Sequence, residues 1–450
     1  MNNNWILVFF FAVFLIFEFF INKKQLLAPS FVVTGVMLLT ASILAINTDY
    51  WRYVIGLNTC LTIIFSVIIF SLGYHLAYFL CVSGGREKSK SKPLVLPTPS
   101  KNTYAWVALL SFLFFVVFFI IQYINAASVG MSSTISDIVK ANRWNVEAKR
   151  FEIFEKIVFL IHRVLVYIFI FIFVSNKTNS KSKTNSHGFL TILIVLFYFG
   201  SCAMSSNRSD LVAFFAFLLF SIIFCRQRNK ISKSANENSS FKTLLTIAFI
   251  FVIALLAFRL LGYLTGKSLE SAYDNISTYI GSSFISFDKY LNGTGYPFPD
   301  GDDPLLFRGI YSILNMFGLN IDSHSFYKPS QYWGPTGKNW HANVYSSLLE
   351  YHMKFGMAGL LLFEFAIGAF FGVVWKRIMT KRSSLLFIFI YADLFFYYLC
   401  MYSIDERLFS QFFTLTSFLE IIVINVSLNT LCERGFRKNR PASAFARTTK

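Results

Sequence analysis

Three side chains in this chain have surroundings that suit chemistry: Arg208, His341 and Arg407. Arg208 lies in the polar turn Ser205-Ser206-Asn207-Arg208-Ser209-Asp210, between two apolar runs over 189–203 and 211–225. Helices of about 15 residues reach only ~22 Å, against a hydrocarbon core of about 30 Å. The turn is therefore expected to stop short of the surface and to hold Arg208 at membrane depth. Ionisable groups there are functional by default, and a guanidinium with five donors suits a phosphate or diphosphate. The plainer reading is an interfacial arginine at a hairpin. His341 opens the run His341-Ala342-Asn343-Val344-Tyr345 behind Trp340. A neutral imidazole can take a proton from a sugar hydroxyl, with Asn343 and Glu350 to orient it or to bind the sugar. The plainer reading packs it between Trp340 and Tyr345. Arg407 stands in the turn Asp405-Glu406-Arg407, which reads equally well as a surface charge cluster. Arg143 and Arg308 are further loop arginines open to an anionic substrate or simply to solvent, and Trp340 offers a ring for sugar stacking.

The elements that must position these residues are membrane helices. Hydrophobic residues make up 55% of the chain and charged residues 14%, and long apolar runs recur. Eleven spans are predicted, over 5–21, 30–46, 55–82, 104–124, 156–174, 189–203, 211–225, 244–262, 356–375, 385–403 and 411–428. The fold class expected is an all-α polytopic membrane protein, a single membrane domain over 1–450. One large loop, 263–355, interrupts the spans, and a basic tail, 429–450, follows them. His341 is placed in that loop, on a segment read as a helix descending to the span that starts at Gly356. Trp5–Ile21 has no basic region before it and no small-residue cleavage site after it, so it reads as a retained helix.

The net charge of +18 invites a nucleic-acid reading. Its distribution excludes one. Loops on one side hold 25 basic residues against Glu87, Glu237 and Glu433, while the other side holds 13 basic and 16 acidic residues. The positive-inside rule then puts the N-terminus outside, the C-terminus in the cytoplasm and the large loop outside. Contact with anionic membrane lipids accounts for any remaining basic excess.

Glu364, Asp393, Glu420, Arg163 and Arg259 fall inside spans, where unpaired charge is costly, so they are expected to face the interior and pair. The run Pro299-Asp300-Gly301-Asp302-Asp303-Pro304 lacks the spacing of a calcium loop and reads as a turn. The six cysteines form no C-x-x-C pair, so no disulfide framework or zinc site is signalled. No nucleotide-binding loop is visible.

Taken together, His341-x-Asn343, Leu348 and Gly356-x-x-Gly359 closing a large outer loop resemble the signature of bacterial O-antigen polymerases and ligases. The Ser206-Asn207-Arg208-Ser209 turn resembles that family's Gly/Ser-x-Arg-Ser/Ala turn, with Ser205-Ser206 where members often carry Gly. Length and architecture are similar to Wzy-type oligosaccharide repeat-unit polymerases. The resemblance implies a membrane glycosyltransferase of GT-C-like architecture in the bacterial cytoplasmic (inner) membrane. Its substrate would be an undecaprenyl-diphosphate-linked oligosaccharide, joined into O-antigen or capsular polysaccharide on the outer face. Arg208 and Arg407 would hold the leaving diphosphate, and His341 would be the base. Neither metal nor cofactor is expected. A polysaccharide chain-length regulator and a flippase are the implied partners. An O-antigen ligase and a lipid-linked oligosaccharide flippase are the alternatives; the length of the outer loop and the lack of a visible repeat weigh against the flippase.

Overall fold

A computed structural model describes residues 2–81, 96, 99–144, 152–178, 187–205, 208–232, 245–246, 249–250, 252–257, 259–260, 262, 272–295, 306–315, 317–319, 321, 328–334, 340–379 and 384–438. Among these residues seven helices are long and apolar enough to cross a membrane. They are Asn3–Ile21, Pro29–Ile46, Leu57–Leu80, Lys101–Ala127, Ile153–Thr178, Ser209–Arg228 and Ser347–Met379. Gly188–Met204, Leu385–Cys400 and Leu415–Thr430 are shorter apolar helices. The expected span at 244–262 falls partly outside the described residues, and those described within it are helical. The chain is thus a predominantly helical membrane protein.

It divides into two compact units, residues 1–89 with 270–418, and residues 90–269 with 419–450. In the first unit α1 (Asn3–Ile21), α2 (Pro29–Ile46), the single turn α3 (Thr48–Trp51) and α4 (Leu57–Leu80) pack with the Ala272–Leu291 and Ser347–Met379 helices. Apolar residues face outwards along α1, as at Phe9, Ile16 and Phe20. The interior faces carry small and polar residues instead, as in Ser30, Thr34, Thr40 and Ala41 of α2. Lipid already solvates apolar side chains, so membrane helices associate through close packing and hydrogen bonds. Gly73, Gly368 and Gly372 show the packing. A Cβ on each would lie 2.2, 2.0 and 2.4 Å from the backbone oxygens of Phe365, Phe70 and Tyr74.

Two carboxylates knit this unit together. Glu18 of α1 is fully buried and accepts from Asn22 (2.8 Å), Ser30 (2.5 Å) and Ser71, with His75 Nε2 3.0 Å away. Asp288, 3% exposed, accepts from Tyr53 Oη (2.7 Å), Gly56 N (2.8 Å), Thr59 Oγ1 (2.6 Å) and Asn292 Nδ2 (3.0 Å). Asp288 thereby pins the Ala272–Leu291 helix to the start of α4.

The second unit contains α5 (Lys101–Ala127), α6 (Ile135–Trp144), α7 (Glu152–Thr178), α8 (Gly188–Met204) and α9 (Arg208–Ser232). Leu415–Lys438 begins in the first unit and runs into this one. Arg163 of α7 pairs with Glu420, as expected for charges inside spans. His162 sits between the Oγ atoms of Ser111 (2.6 Å) and Ser201 (3.2 Å). Glu364 is also interior, although its carboxyl oxygens meet no hydrogen-bond partner among the described residues. Arg259 departs from the expectation and is exposed.

One expectation from span length is corrected. α8 has 17 residues, but α9 has 25 and is long enough to cross a membrane at ~1.5 Å per residue. The apolar run ends at Cys225, whereas the hydrogen-bonded helix continues through Arg226, Arg228 and Lys230. Polar residues end a hydropathy window without ending a helix. The case for a recessed turn from two short helices therefore holds on one side only.

Candidate functional site

The site is built around a break in the Ser347–Met379 helix. Gly356 has φ 63° and ψ −170°, a conformation essentially restricted to glycine. The segment before the break carries Glu350 and Tyr351, and the apolar helix follows it. A Cβ at Gly359 would overlap the Phe355 side chain at 2.0 Å, so the paired glycines let the chain fold sharply here. Ser347 donates from N (3.1 Å) and Oγ (2.9 Å) to Tyr402 O. This fixes the 401–407 turn against the helix start. Two π-helical turns, Phe395–Cys400 and Leu408–Phe412, flank that turn. Such turns are rare and frequent at functional sites.

Four charged side chains meet at this junction. Lys328 Nζ donates to Glu350 Oε1 and, at 2.6 Å, to Asp405 Oδ1. Arg407 Nε lies 3.5 Å from Asp405 Oδ2, a long contact that leaves Nε and Nη1 without a hydrogen bond among the described residues. Burial opposes the Lys328 charge, but Asp405 and Glu350 outweigh it and hold the ammonium well above the usual lysine range. The lysine segment is tethered by Tyr345, whose hydroxyl donates to Pro329 O (2.6 Å) and accepts from Gln331 Nε2 (2.9 Å).

Glu406 lies beneath this quartet, 1% exposed. It accepts from Phe409 N (2.9 Å) and Ser410 N (3.2 Å) and so caps the second π-helical turn. Tyr351 Oη donates to it at 3.4 Å. Burial, with the Glu350 charge adding to it, pushes the Glu406 carboxyl up to about 8 despite the backbone donors. Glu406 is mostly neutral at pH 7, so two cations and two carboxylates balance. Phe307, Phe355, Phe363 and Phe409 form an adjoining aromatic wall, with ring centroids 4.6 Å apart for Phe355–Phe363 and 5.3 Å for Phe307–Phe409.

Of the residues singled out from sequence, Glu350 and Arg407 come together here, bridged by Lys328 and Asp405. The Asp405-Glu406-Arg407 run is no surface cluster, because Glu406 is enclosed. His341 is corrected from helix to strand. Trp340–Ala342 (β2) pairs antiparallel with Gln331–Trp333 (β1), with Tyr332 opposite His341. Alternation buries Trp333 and Ala342 and exposes Tyr332 and His341, whose rings stack at 5.3 Å. Trp340 packs on Tyr50 at 5.1 Å rather than standing free. Asn343 is exposed and Glu350 is engaged by Lys328, so neither orients His341. Arg308 is exposed at the start of the Arg308–Asn315 helix.

Arg143 and Arg208 belong to the other unit, and their side chains lie outside the described residues, as does the Pro299–Pro304 run. The backbone of Arg208 begins α9. Tyr198 and Cys202 on α8 lie within electrostatic reach of both Asp210 and Arg163. Sequence reasoning missed Lys328, which has no periodicity or motif around it. The only signal was two acids, Glu350 and Asp405, short of a cation.

No protein-family model, no curated protein and no solved structure matches this chain.

Proposed function

We propose that the chain is a membrane glycosyltransferase that joins lipid-diphosphate-linked oligosaccharide units into a polysaccharide. It would be a Wzy-type polymerase with about eleven spans and a GT-C-like architecture, working on the outer face of the bacterial cytoplasmic membrane. The observation that carries this reading is Arg407, held in a partly enclosed charged junction at the end of a membrane helix, with two nitrogens that meet no hydrogen-bond partner among the described residues. The loop charge bias supports placing that junction outside. No nucleotide sugar is available there, so the leaving group must travel with the donor as a lipid diphosphate. A guanidinium aimed where charge develops on that leaving group stabilises the transition state. The apolar helices would hold the polyprenyl tails. The sequence resemblance separately implies a diphosphate-binding role for Arg208.

The deciding experiment reads glycan length on a gel in cells carrying Arg407→Ala or Arg208→Ala, with membrane level measured in parallel. Collapse to a single repeat unit at normal protein level is the expected result for Arg407→Ala. An unchanged ladder for that variant would overturn the reading. Loss of even the single unit would favour a ligase or a flippase.

A further inference from the structure

We propose that Asp405 is the general base of this site, taking the proton of the attacking sugar hydroxyl; the assignment rests on the polymerase reading above. Of the three carboxyl groups at this junction, Asp405 alone meets Arg407, at 3.5 Å, and it is the most exposed. The Asp405 side chain is 28% exposed and that of Glu350 4%. Glu406 is 1% exposed and spent on capping Phe409 and Ser410. Glu350 points at Lys328. His341, the base expected from sequence, lies on β2 against Tyr332 and has no carboxylate partner among the described residues.

Asp405 is held unevenly. Oδ1 accepts from Lys328 at 2.6 Å, which fixes the carboxyl plane. Oδ2 faces Arg407 Nε at 3.5 Å, too long for a good hydrogen bond. A diphosphate entering the site competes for the same guanidinium and frees Oδ2 for the acceptor. Leaving-group cation and base are then two residues apart on one turn, which leads into the π-helical turn that Glu406 caps.

The step balances as follows. The acceptor O–H bond breaks and its proton passes to Asp405 Oδ2. The oxygen's electron pair forms the new bond to the anomeric carbon. The bond from that carbon to the diphosphate oxygen breaks, and its electron pair leaves with the diphosphate beside Arg407. Asp405 returns the proton to water through its exposed edge. The groups facing Asp405 are Lys328, Arg407, Glu350 and Glu406, and the last is mostly neutral at pH 7.

The test uses the full-length protein in nanodiscs with lipid-linked units extracted from the cells' own envelope. Asp405→Asn and Asp405→Ala should lower elongation turnover by about 10²- to 10⁴-fold. Formate, a diffusible carboxylate, should restore Asp405→Ala about tenfold and Arg407→Ala not at all, since an added carboxylate can stand in for a lost base and cannot stand in for a lost guanidinium. If the neutral variants fail to reach the membrane, Asp405→Glu is read instead; it should lose turnover with KM unchanged. Normal turnover in Asp405→Asn or Asp405→Glu overturns the assignment, as does no response of Asp405→Ala to formate. Collapse in His341→Ala beside a normal Asp405→Asn returns the role to His341. Failure of Arg407→Ala to shorten the ladder sinks the polymerase reading itself. Collapse there with normal Asp405→Asn sinks only the base.

Discussion

Gly356→Ala isolates the break that aims the Glu350 end of the Ser347–Met379 helix. At φ 63° and ψ −170° the backbone is open to glycine alone, and a Cβ there would meet nothing within 4 Å. The cost is therefore conformational and free of steric overlap. Holding a non-glycine residue in this region costs about 1–3 kcal/mol, a shift of roughly 5- to 150-fold in the folding equilibrium. Part of that strain can be relieved by straightening the helix, which would swing Glu350 away from Lys328 and Asp405. Displacements of about 1 Å at a reacting centre cost on the order of 10²-fold in rate. Two assays follow: unfolding of the purified protein in mixed detergent–SDS micelles, and elongation turnover at equal protein level. A Gly356→Ala protein with unchanged stability and unchanged turnover would show that the break is incidental, and would remove the geometric basis of the site.

Arg163 and Glu420 should behave as an intramembrane ion pair. Glu420→Leu alone should cost about 3–5 kcal/mol by stranding the arginine, and Arg163→Met with Glu420→Leu should recover most of it; equal losses in single and double variants would refute the pairing. Asp288→Ala removes the acceptor for four donors, three of which join the Ala272–Leu291 helix to the start of α4, and at about 1–3 kcal/mol for each donor left unsatisfied it should melt well below the parent. Asp288→Asn, which keeps one acceptor oxygen, should lose less. The Glu406 carboxyl is raised from the ordinary value of 4.5 to about 8, so the folded state holds a proton that the unfolded chain has released. Its contribution to stability is full below the ordinary carboxyl value and drains as pH rises through about 8. Melting temperature should therefore fall as pH rises from about 5 to about 8 and level off above that, with a shallower slope in Glu406→Gln; parallel slopes would argue against a buried neutral Glu406.

Apolar run length made the membrane helices legible, because a bilayer demands some twenty apolar residues whatever the tertiary arrangement. Interior charges such as Arg163 and Glu420 announced a need for partners for the same reason. The span was expected to start at Gly356, whereas the structure has helix on both sides of a break there. What the sequence left open was set by contacts between segments far apart in the chain. Lys328, Glu350 and Asp405 are separated by 22 and 55 residues, and no local pattern encodes their meeting. His341 looked helical because it precedes a helix, yet pairing with Gln331–Trp333 made it a strand residue facing outwards. Arg407 was a candidate for chemistry from sequence, but the Asp405-Glu406-Arg407 run read equally well as a surface charge cluster. Only the packing of the 401–407 turn between two π-helical turns enclosed Glu406 and left Arg407 with donors that meet no hydrogen-bond partner among the described residues. Propensity and hydropathy act over a few turns of helix, whereas the charge balance of a buried site is decided by whichever segments the fold brings into reach.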